Sequence, residues 1–321
     1  MTHATYHVPV LTQSVVDTLI DGPEGPLVDG TLGGGGHTSA LLTAASGKRD
    51  VIGIDRDPEA IELNRKRFAN ETRVQLVRGN FSEMDTAVRK VGISEDHQIA
   101  GILLDLGVSS WQLDSADRGF GFKHESAPLD MRMDATSEGM SASELIQSRS
   151  VVELARILKE NGDVRRSRSV AQAIKDAMEA GKLGTTRDLA NVVESVLGRR
   201  RKGEVHPATT VFQALRIVVN GELEALDRAL SVAPKLLKPG GRLVVISYHS
   251  LEDRRVKHTF REGELGKPRP RNLPPEPGWA PTWEVLTRKP IVSDSDEISE
   301  NPRARSAKLR AAARAPLGGV S

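Results

Sequence analysis

Four consecutive glycines, Gly33 to Gly36, follow a short apolar stretch, Leu27 to Gly30, and lead into a helical span from Thr38 to Ala45. A strand, a glycine turn and a helix in that order constrain the chain more than any other feature. The turn exposes the first N–H groups of a helix at a strand end, with no Cβ to keep a ligand away. By itself it also suits a purely structural corner. Asp55 narrows the choice: it closes the next apolar stretch, Asp50 to Asp55, 20 residues beyond Gly35. An acidic side chain at that spacing reaches ribose hydroxyls in nucleotide-binding α/β folds. The same rhythm continues with a helix from Pro58 to Phe68, Pro58 standing in its first turn. Strands follow at Val74 to Val77 and Ala100 to Leu106, the latter apolar until Asp105. Unalternating strands separated by helices predict an α/β fold with a parallel, Rossmann-like sheet covered on both faces.

After the fourth strand the rhythm breaks. Trp111 to Asp134 is rich in Gly, Asp and Ser and reads as a long loop. From Ser143 to Leu197 only helical signals occur, such as Val151, Leu154, Ala155 and Leu158 at helical spacing. Thr185 and Asp188 have the spacing of a capping box. The α/β pattern returns with one long helix through Leu215 to Leu237, a turn at Lys238-Pro239-Gly240-Gly241, and a strand from Arg242 to Ser247. The expected organisation is a discontinuous sheet domain, 1–116 and 205–321, carrying an inserted all-helical domain, 117–204. Gly266 to Trp283 reads as an irregular arm rich in Pro and Arg, and a basic segment, Arg303 to Arg314, closes the chain.

Composition removes several function classes. With no cysteine, disulfides, thiolate metal sites and cysteine nucleophiles are excluded. Met1 to Val10 lacks the features of a secretory leader, and no apolar run approaches the roughly 20 residues of a membrane span. A cytoplasmic protein without membrane contact is expected. His37, His206, His249 and His258 show no ligand spacing, so no metal is expected. The net charge of +2 hides an uneven distribution: between Arg149 and Lys202, 13 Lys/Arg stand against 7 Asp/Glu. Arg165, Arg166 and Arg168 form one cluster and Arg199 to Lys202 another. Such clusters suit a phosphate backbone, which releases counterions on binding, although a charge run also makes an ordinary solvated helix face. With aromatics at 3%, a broad base-stacking platform is not available.

The glycine loop matches the dinucleotide fingerprint imperfectly, since Gly36, His37 and Thr38 follow Gly33-x-Gly35. It supplies no dedicated pyrophosphate cradle, and Asp29 offers an acidic group where a methionine ammonium can sit. The run from Leu236 to Val245 resembles the helix, turn and fifth strand of class I methyltransferases. Together these features favour S-adenosylmethionine over NAD.

A more specific resemblance rests on Asp105-Leu106-Gly107-Val108-Ser109-Ser110-Trp111-Gln112-Leu113-Asp114, Pro128-Leu129-Asp130-Met131-Arg132-Met133-Asp134 and His206-Pro207-Ala208-Thr209. His249-Ser250-Leu251-Glu252-Asp253-Arg254 and Asn301-Pro302-Arg303-Ala304-Arg305-Ser306 extend it, and it runs from His7-Val8-Pro9-Val10 almost to the C-terminus. These motifs are similar to those of the bacterial ribosomal small-subunit methyltransferase H family, which makes N4-methylcytidine in ribosomal RNA. The resemblance implies S-adenosylmethionine as cofactor, held by Gly35, Gly36, His37, Asp55, Phe81, Asp105 and Gln112. It also implies small-subunit ribosomal RNA, or the assembled small subunit, as partner, and leaves a homodimer open.

Methyl transfer from a sulfonium is an in-line displacement, helped chiefly by holding the nucleophile close and aligned. A cytosine amine is a poor nucleophile because its lone pair is delocalised, so a useful site accepts a hydrogen bond from it. Asp105 is the candidate catalytic group. Val108 stands where many amino-group methyltransferases carry an aromatic residue, which leaves Phe120, Phe122 and Tyr248 as stacking candidates. Arg118, His249 and Ser250 are candidates for substrate contacts. A catalytically silent RNA-binding relative would show damage in the glycine loop or at Asp105, and neither is damaged. A dehydrogenase would need a hydride-acceptor site and usually a second mononucleotide-binding half, and neither can be traced. If the insert binds RNA, reversing Arg165, Arg166 and Arg168 to Glu weakens RNA binding and lowers its salt slope by about one unit per lost phosphate contact. Cofactor affinity stays unchanged. Filter binding across a salt series checks this, and an unaltered slope would assign the three arginines to a solvated face.

Overall fold

The computed structural model describes residues 9–93, 96–109, 112–113, 115–122, 125–136, 138–199, 206–266 and 279–316. Trp111, the Arg200, Arg201 and Lys202 part of the second basic cluster, and residues 267–278 of the expected arm lie outside them. Contacts divide the chain into two units, Met1–Gly107 with Glu224–Ser321, and Val108–Leu223. Among the described residues no helix is long and apolar enough to cross a membrane.

In the first unit, seven strands form one sheet: β1 Leu27–Asp29, β2 Val51–Asp55, β3 Val74–Arg78, β4 Ile99–Asp105, β5 Leu237–Ser247, β6 Trp283–Val285 and β7 Lys308–Arg314. Their order is β3-β2-β1-β4-β5-β7-β6. The first five in that order run parallel, and β7 is antiparallel to both neighbours. The sheet is Rossmann-like, and its order reverses between β1 and β4, which opens a crevice beyond the carboxyl ends of those strands. β4 is buried from Ile99 to Leu104 and emerges only at Asp105, as a central strand covered on both faces must. Alternate residues serve opposite layers: Ile102, Leu104, Leu243 and Val245 pack in one core, Leu103, Val244 and Ile246 in the other.

The covering helices are α1 Thr12–Ile20, α2 Gly36–Ala44, α3 Pro58–Arg67 and α4 Met84–Lys90 in the first half. The second unit contributes α5 Ala142–Ser148, α6 Val151–Gly162, α7 Ser167–Glu179, α8 Thr186–Leu197 and α9 Ala208–Asn220. The chain then continues through α10 Glu222–Leu236, α11 Ser250–Leu265 and α12 Ser295–Glu300. Capping boxes start α5 at Ser141 and Glu144, α6 at Ser150 and Glu153, and α8 at Thr185 and Asp188. The second unit has its own core, in which Leu154, Leu158, Val170, Ile174, Leu189, Val193 and Leu215 are buried.

Three features differ from the sequence expectation. The long helix expected through Leu215 to Leu237 is two helices, because Gly221 takes a left-handed conformation (φ 59°) that ends α9. The helical unit therefore extends to Leu223, beyond the expected boundary at 204. The Lys238-Pro239-Gly240-Gly241 turn is part of β5, with the pairing to β4 slipping between Ile99 and Gly101 beside it. The basic closing segment contains β7, which lies between β5 and β6. Its three alanines, Ala311 to Ala313, have little strand propensity, so nothing in the local sequence announces a buried strand.

Arg310 on β7 is buried and donates from Nε to Asp253 Oδ1 at 2.6 Å. Removing one member of such a pair leaves the other charge covered and uncompensated. Arg310→Met is expected to lower the free energy of urea unfolding by about 3 kcal/mol, and adding Asp253→Leu to recover most of it. A loss below about 1 kcal/mol in the single variant would place this pair with weak surface ion pairs.

Candidate functional site

The glycine loop is held from three sides. Gly35 has φ 75°, and a Cβ there would lie 2.0 Å from Asn64 Oδ1, so no other residue fits. Asn64 is buried on the inner face of α3 and donates from Nδ2 to Gly33 O at 2.7 Å and to Ala60 O at 2.8 Å. Arg67, one turn further, donates to Gly34 O at 2.5 Å. From β2, Asp55 accepts from Gly33 N through Oδ2 and from Asp57 N through Oδ1, both at 2.8 Å. Burial pushes the Asp55 carboxyl up to about 6, against the pull of those two N–H donors. The loop ends at α2, whose N-terminus has no side-chain cap and keeps the first-turn N–H groups of Gly36 and His37 beside the turn.

A second cluster stands at the ends of β4 and β5. Asp105 N donates to Thr31 Oγ1 at 2.6 Å, tying β4 to the glycine loop. Asp105 Oδ1 accepts from Tyr248 Oη at 2.8 Å, and Oδ2 lies 3.4 Å from Nε2 of the buried His37. Burial and the neighbouring Asp105 raise the Tyr248 hydroxyl well above its ordinary value, so it stays a neutral donor. Burial alone would lower the His37 pKa, but Asp105 and Asp29 outweigh it and raise the imidazole above its usual value. Asp29 is 1% exposed and accepts from Thr38 Oγ1 at 2.7 Å and Thr31 N at 3.2 Å. With both oxygens bonded inside the loop, Asp29 braces it.

The other expected residues fall as follows. Phe81 opens a short 3-10 turn after β3, half-buried, with its Cβ 3.2 Å from where a Cβ on Gly30 would stand. His249 and Ser250 form the junction of β5 and α11. His249 Nε2 lies 3.1 Å from Glu252 Oε1, and Glu252 Oε2 accepts from Tyr248 N at 2.9 Å. In the second unit, Gln112 is buried, its Oε1 accepting from Ser109 N at 3.0 Å. Arg118, expected to hold a phosphate, is buried and donates to Met133 O at 2.6 Å, so it braces its own loop. Of the stacking candidates, Phe120 lies in the helical core and Phe122 packs against His206 and Phe212. Tyr248 has its hydroxyl committed to Asp105.

Asn64, Arg67 and Thr31 were missed by reading motifs. Asn64 did carry a signal, since it shares the buried face of α3 with Ile61, three residues earlier. The residues present fit a nucleoside with a charged tail. A glycine is required at the point of closest approach, Asp55 offers carboxylate oxygens at a strand end, and His37 Nδ1 is buried without a hydrogen-bond partner among the described residues.

The model of the MraW methylase family matches residues 4–315. A protein named ribosomal RNA small subunit methyltransferase H from Geobacter sulfurreducens is 47% identical over 309 residues, 95% of this chain and 98% of that one. Proteins of the same name from Heliobacterium modesticaldum and Sorangium cellulosum are 44% and 48% identical, over 96% and 98% of this chain and 98% and 92% of theirs.

The raised Asp55 carboxyl has a consequence for stability. Between 3.8 and about 6 the folded protein holds this proton more tightly than the unfolded chain does. Its contribution is therefore favourable at low pH and is lost as pH rises through about 6. Comparing urea midpoints of the wild type and Asp55→Asn across that window isolates it. The expected difference is a more negative slope with pH in the wild type, and parallel curves would contradict the raised value.

Proposed function

We propose, for a chain that belongs to the MraW methylase family, that it methylates the N4 amine of a cytidine in small-subunit ribosomal RNA. The chain is an S-adenosylmethionine-dependent methyltransferase on a Rossmann-like sheet. The substrate reading is supported by the shared name of relatives aligned over nearly the whole chain. The observation that carries the site is the Asp105 carboxylate, set between Tyr248 Oη and His37 at the sheet's switch point.

When bound, the cofactor supplies an electrophilic methyl group. Asp55 accepts from its ribose hydroxyls, Gly35 and Gly36 let it approach the backbone, and Phe81 flanks its adenine. Gln112 is carried as a further cofactor contact on the strength of the family motif. Asp105 accepts a hydrogen bond from the target amine, which concentrates the lone pair on nitrogen. Once nitrogen has gained the methyl group, Asp105 takes the surplus proton and passes it to solvent. Tyr248, held neutral, fixes the orientation of that carboxylate and is a positioning residue. The helical unit, with Arg165 and Arg168 exposed, is assigned to RNA binding. Arg166 is less suited to it, since it donates to Val196 O at 2.8 Å at the end of α8.

Labelled methyl transfer to free ribosomal RNA and to whole small subunits lacking the modification, followed by nucleoside mass analysis, tests the reading. N4-methylcytidine is the expected product. Asp105→Asn is nearly isosteric and is expected to fold and bind cofactor, yet to lose at least about 100-fold in single-turnover rate. Methylation of another base would overturn the substrate reading. Near-normal turnover in the variant would remove Asp105 from the chemistry.

A further inference from the structure

The Asn301 to Ser306 motif has no part in the mechanism above, yet it lines a cavity. A space of about 190 Å³ is bounded by Tyr248, His249 and Ser250 from the junction of β5 and α11, and by Arg305, Ser306 and Lys308 leading into β7. Among the described residues, none that lines it is acidic. At about 190 Å³ it falls below the roughly 300 Å³ at which pockets for drug-sized ligands begin, and suits a group the size of a phosphate.

Its walls are built for an anion. α11 spans 16 residues, His249 and Glu252 form a capping box at its start, and its first residue, Ser250, lines the cavity. Helix-start N–H groups and the dipole favour negative charge there. The His249 side chain is 9% exposed, and its Nδ1 is buried with no hydrogen-bond partner among the described residues. Arg305 is exposed and has no acidic partner among the described residues. Lys308 Nζ is 3.9 Å from Asp253 Oδ2, but Arg310 already holds that carboxylate at 2.6 Å. Lys308 is thus left with a charge only partly offset. Glu252, the nearest carboxylate on the helix, is buried and turned to Tyr248 N and His249.

We infer that this cavity binds a phosphodiester of the RNA substrate next to the target nucleotide, with Arg305, Lys308, Ser306 and the start of α11 as its ligands. The inference rests on the RNA reading above. Tyr248 joins the two places: it lines the cavity, and its hydroxyl holds Asp105. A phosphate seated there anchors the strand within one side chain of the reacting amine. Phosphate contacts of this kind position a strand and carry no base information.

The test uses the full chain and unmodified small subunits or ribosomal RNA, whichever the wild type methylates. For Arg305→Ala/Lys308→Ala, KM for RNA is expected to rise about tenfold or more, with kcat within about twofold. The slope of log KM against log salt should fall by about one unit, since both substitutions act on the same phosphate. Cofactor affinity by calorimetry and the melting temperature stay at wild-type values, since both side chains lie outside the cores. At constant ionic strength, added inorganic phosphate should raise KM in the wild type and not in the variant. An unchanged KM and salt slope in a folded variant would overturn the proposal. So would phosphate inhibition of the wild type alone with unaltered RNA kinetics in the variant, which would mark a site for free anions. Absence of methyl transfer to any RNA by the wild type is a separate result: it removes the substrate reading and the RNA occupant together.

Discussion

No side chain can stand at residue 35, and the architecture of the cofactor site follows from that constraint. The left-handed turn brings the backbone against Asn64 of α3, and Asn64, Arg67 and Asp55 then fix successive peptide groups of Gly33 and Gly34. The loop cannot relax outward without leaving the Asn64 amide buried and unpaired, a loss of about 1–3 kcal/mol. Because Thr31 accepts from the Asp105 N–H, the same loop also sets the end of β4. The glycine loop and the Asp105 carboxylate are therefore one mechanical unit, built from the loop after β1 together with β2, α3 and β4.

Charge is distributed over that unit with a consistent logic. Asp29, Asp55 and Asp105 stand at strand ends and each is met by donors, and desolvation opposes ionisation of Asp29 and Asp55. Asp29 is bonded by Thr38 and Thr31, and Asp55 by the N–H groups of Gly33 and Asp57. Asp105 has one oxygen bonded to a neutral phenol and the other beside an imidazole. Three carboxylates at strand ends thus acquire three different environments through their partners, not through any difference in the side chain itself.

Local patterns explain how much of this the sequence announces. Gly35 and Asp55 are legible because a left-handed turn and a strand-end acid leave local signs at a fixed spacing. Asp105 is legible because a single acid ends an otherwise apolar strand. The Tyr248 to Asp105 bond joins residues 143 apart, and no local pattern encodes it. β7 is hidden for a different reason. Alanines and arginines read as helix or solvated tail, and only the neighbouring strands with Asp253 make that segment a strand. The division of the expected long helix at Gly221 shows the reverse case, where a single glycine outweighs an unbroken apolar periodicity.

Counting basic residues could not have located the RNA surface, because the structure uses many of them internally. Arg118 holds a loop carbonyl, Arg166 the end of α8, Arg310 a buried carboxylate and Arg314 the Pro234 and Thr282 carbonyls. Guanidinium groups suit this work, since one planar fork satisfies several acceptors at once. A cation committed in this way has little field left for a phosphate. What distinguishes Arg305 and Lys308 is position and weak compensation: they line a small cavity at a helix start and, among the described residues, meet at most one carboxylate, already held by another residue. In a chain whose net charge is only +2, affinity for a polyanion depends on which cations the fold leaves uncommitted, and local geometry answers that where composition cannot.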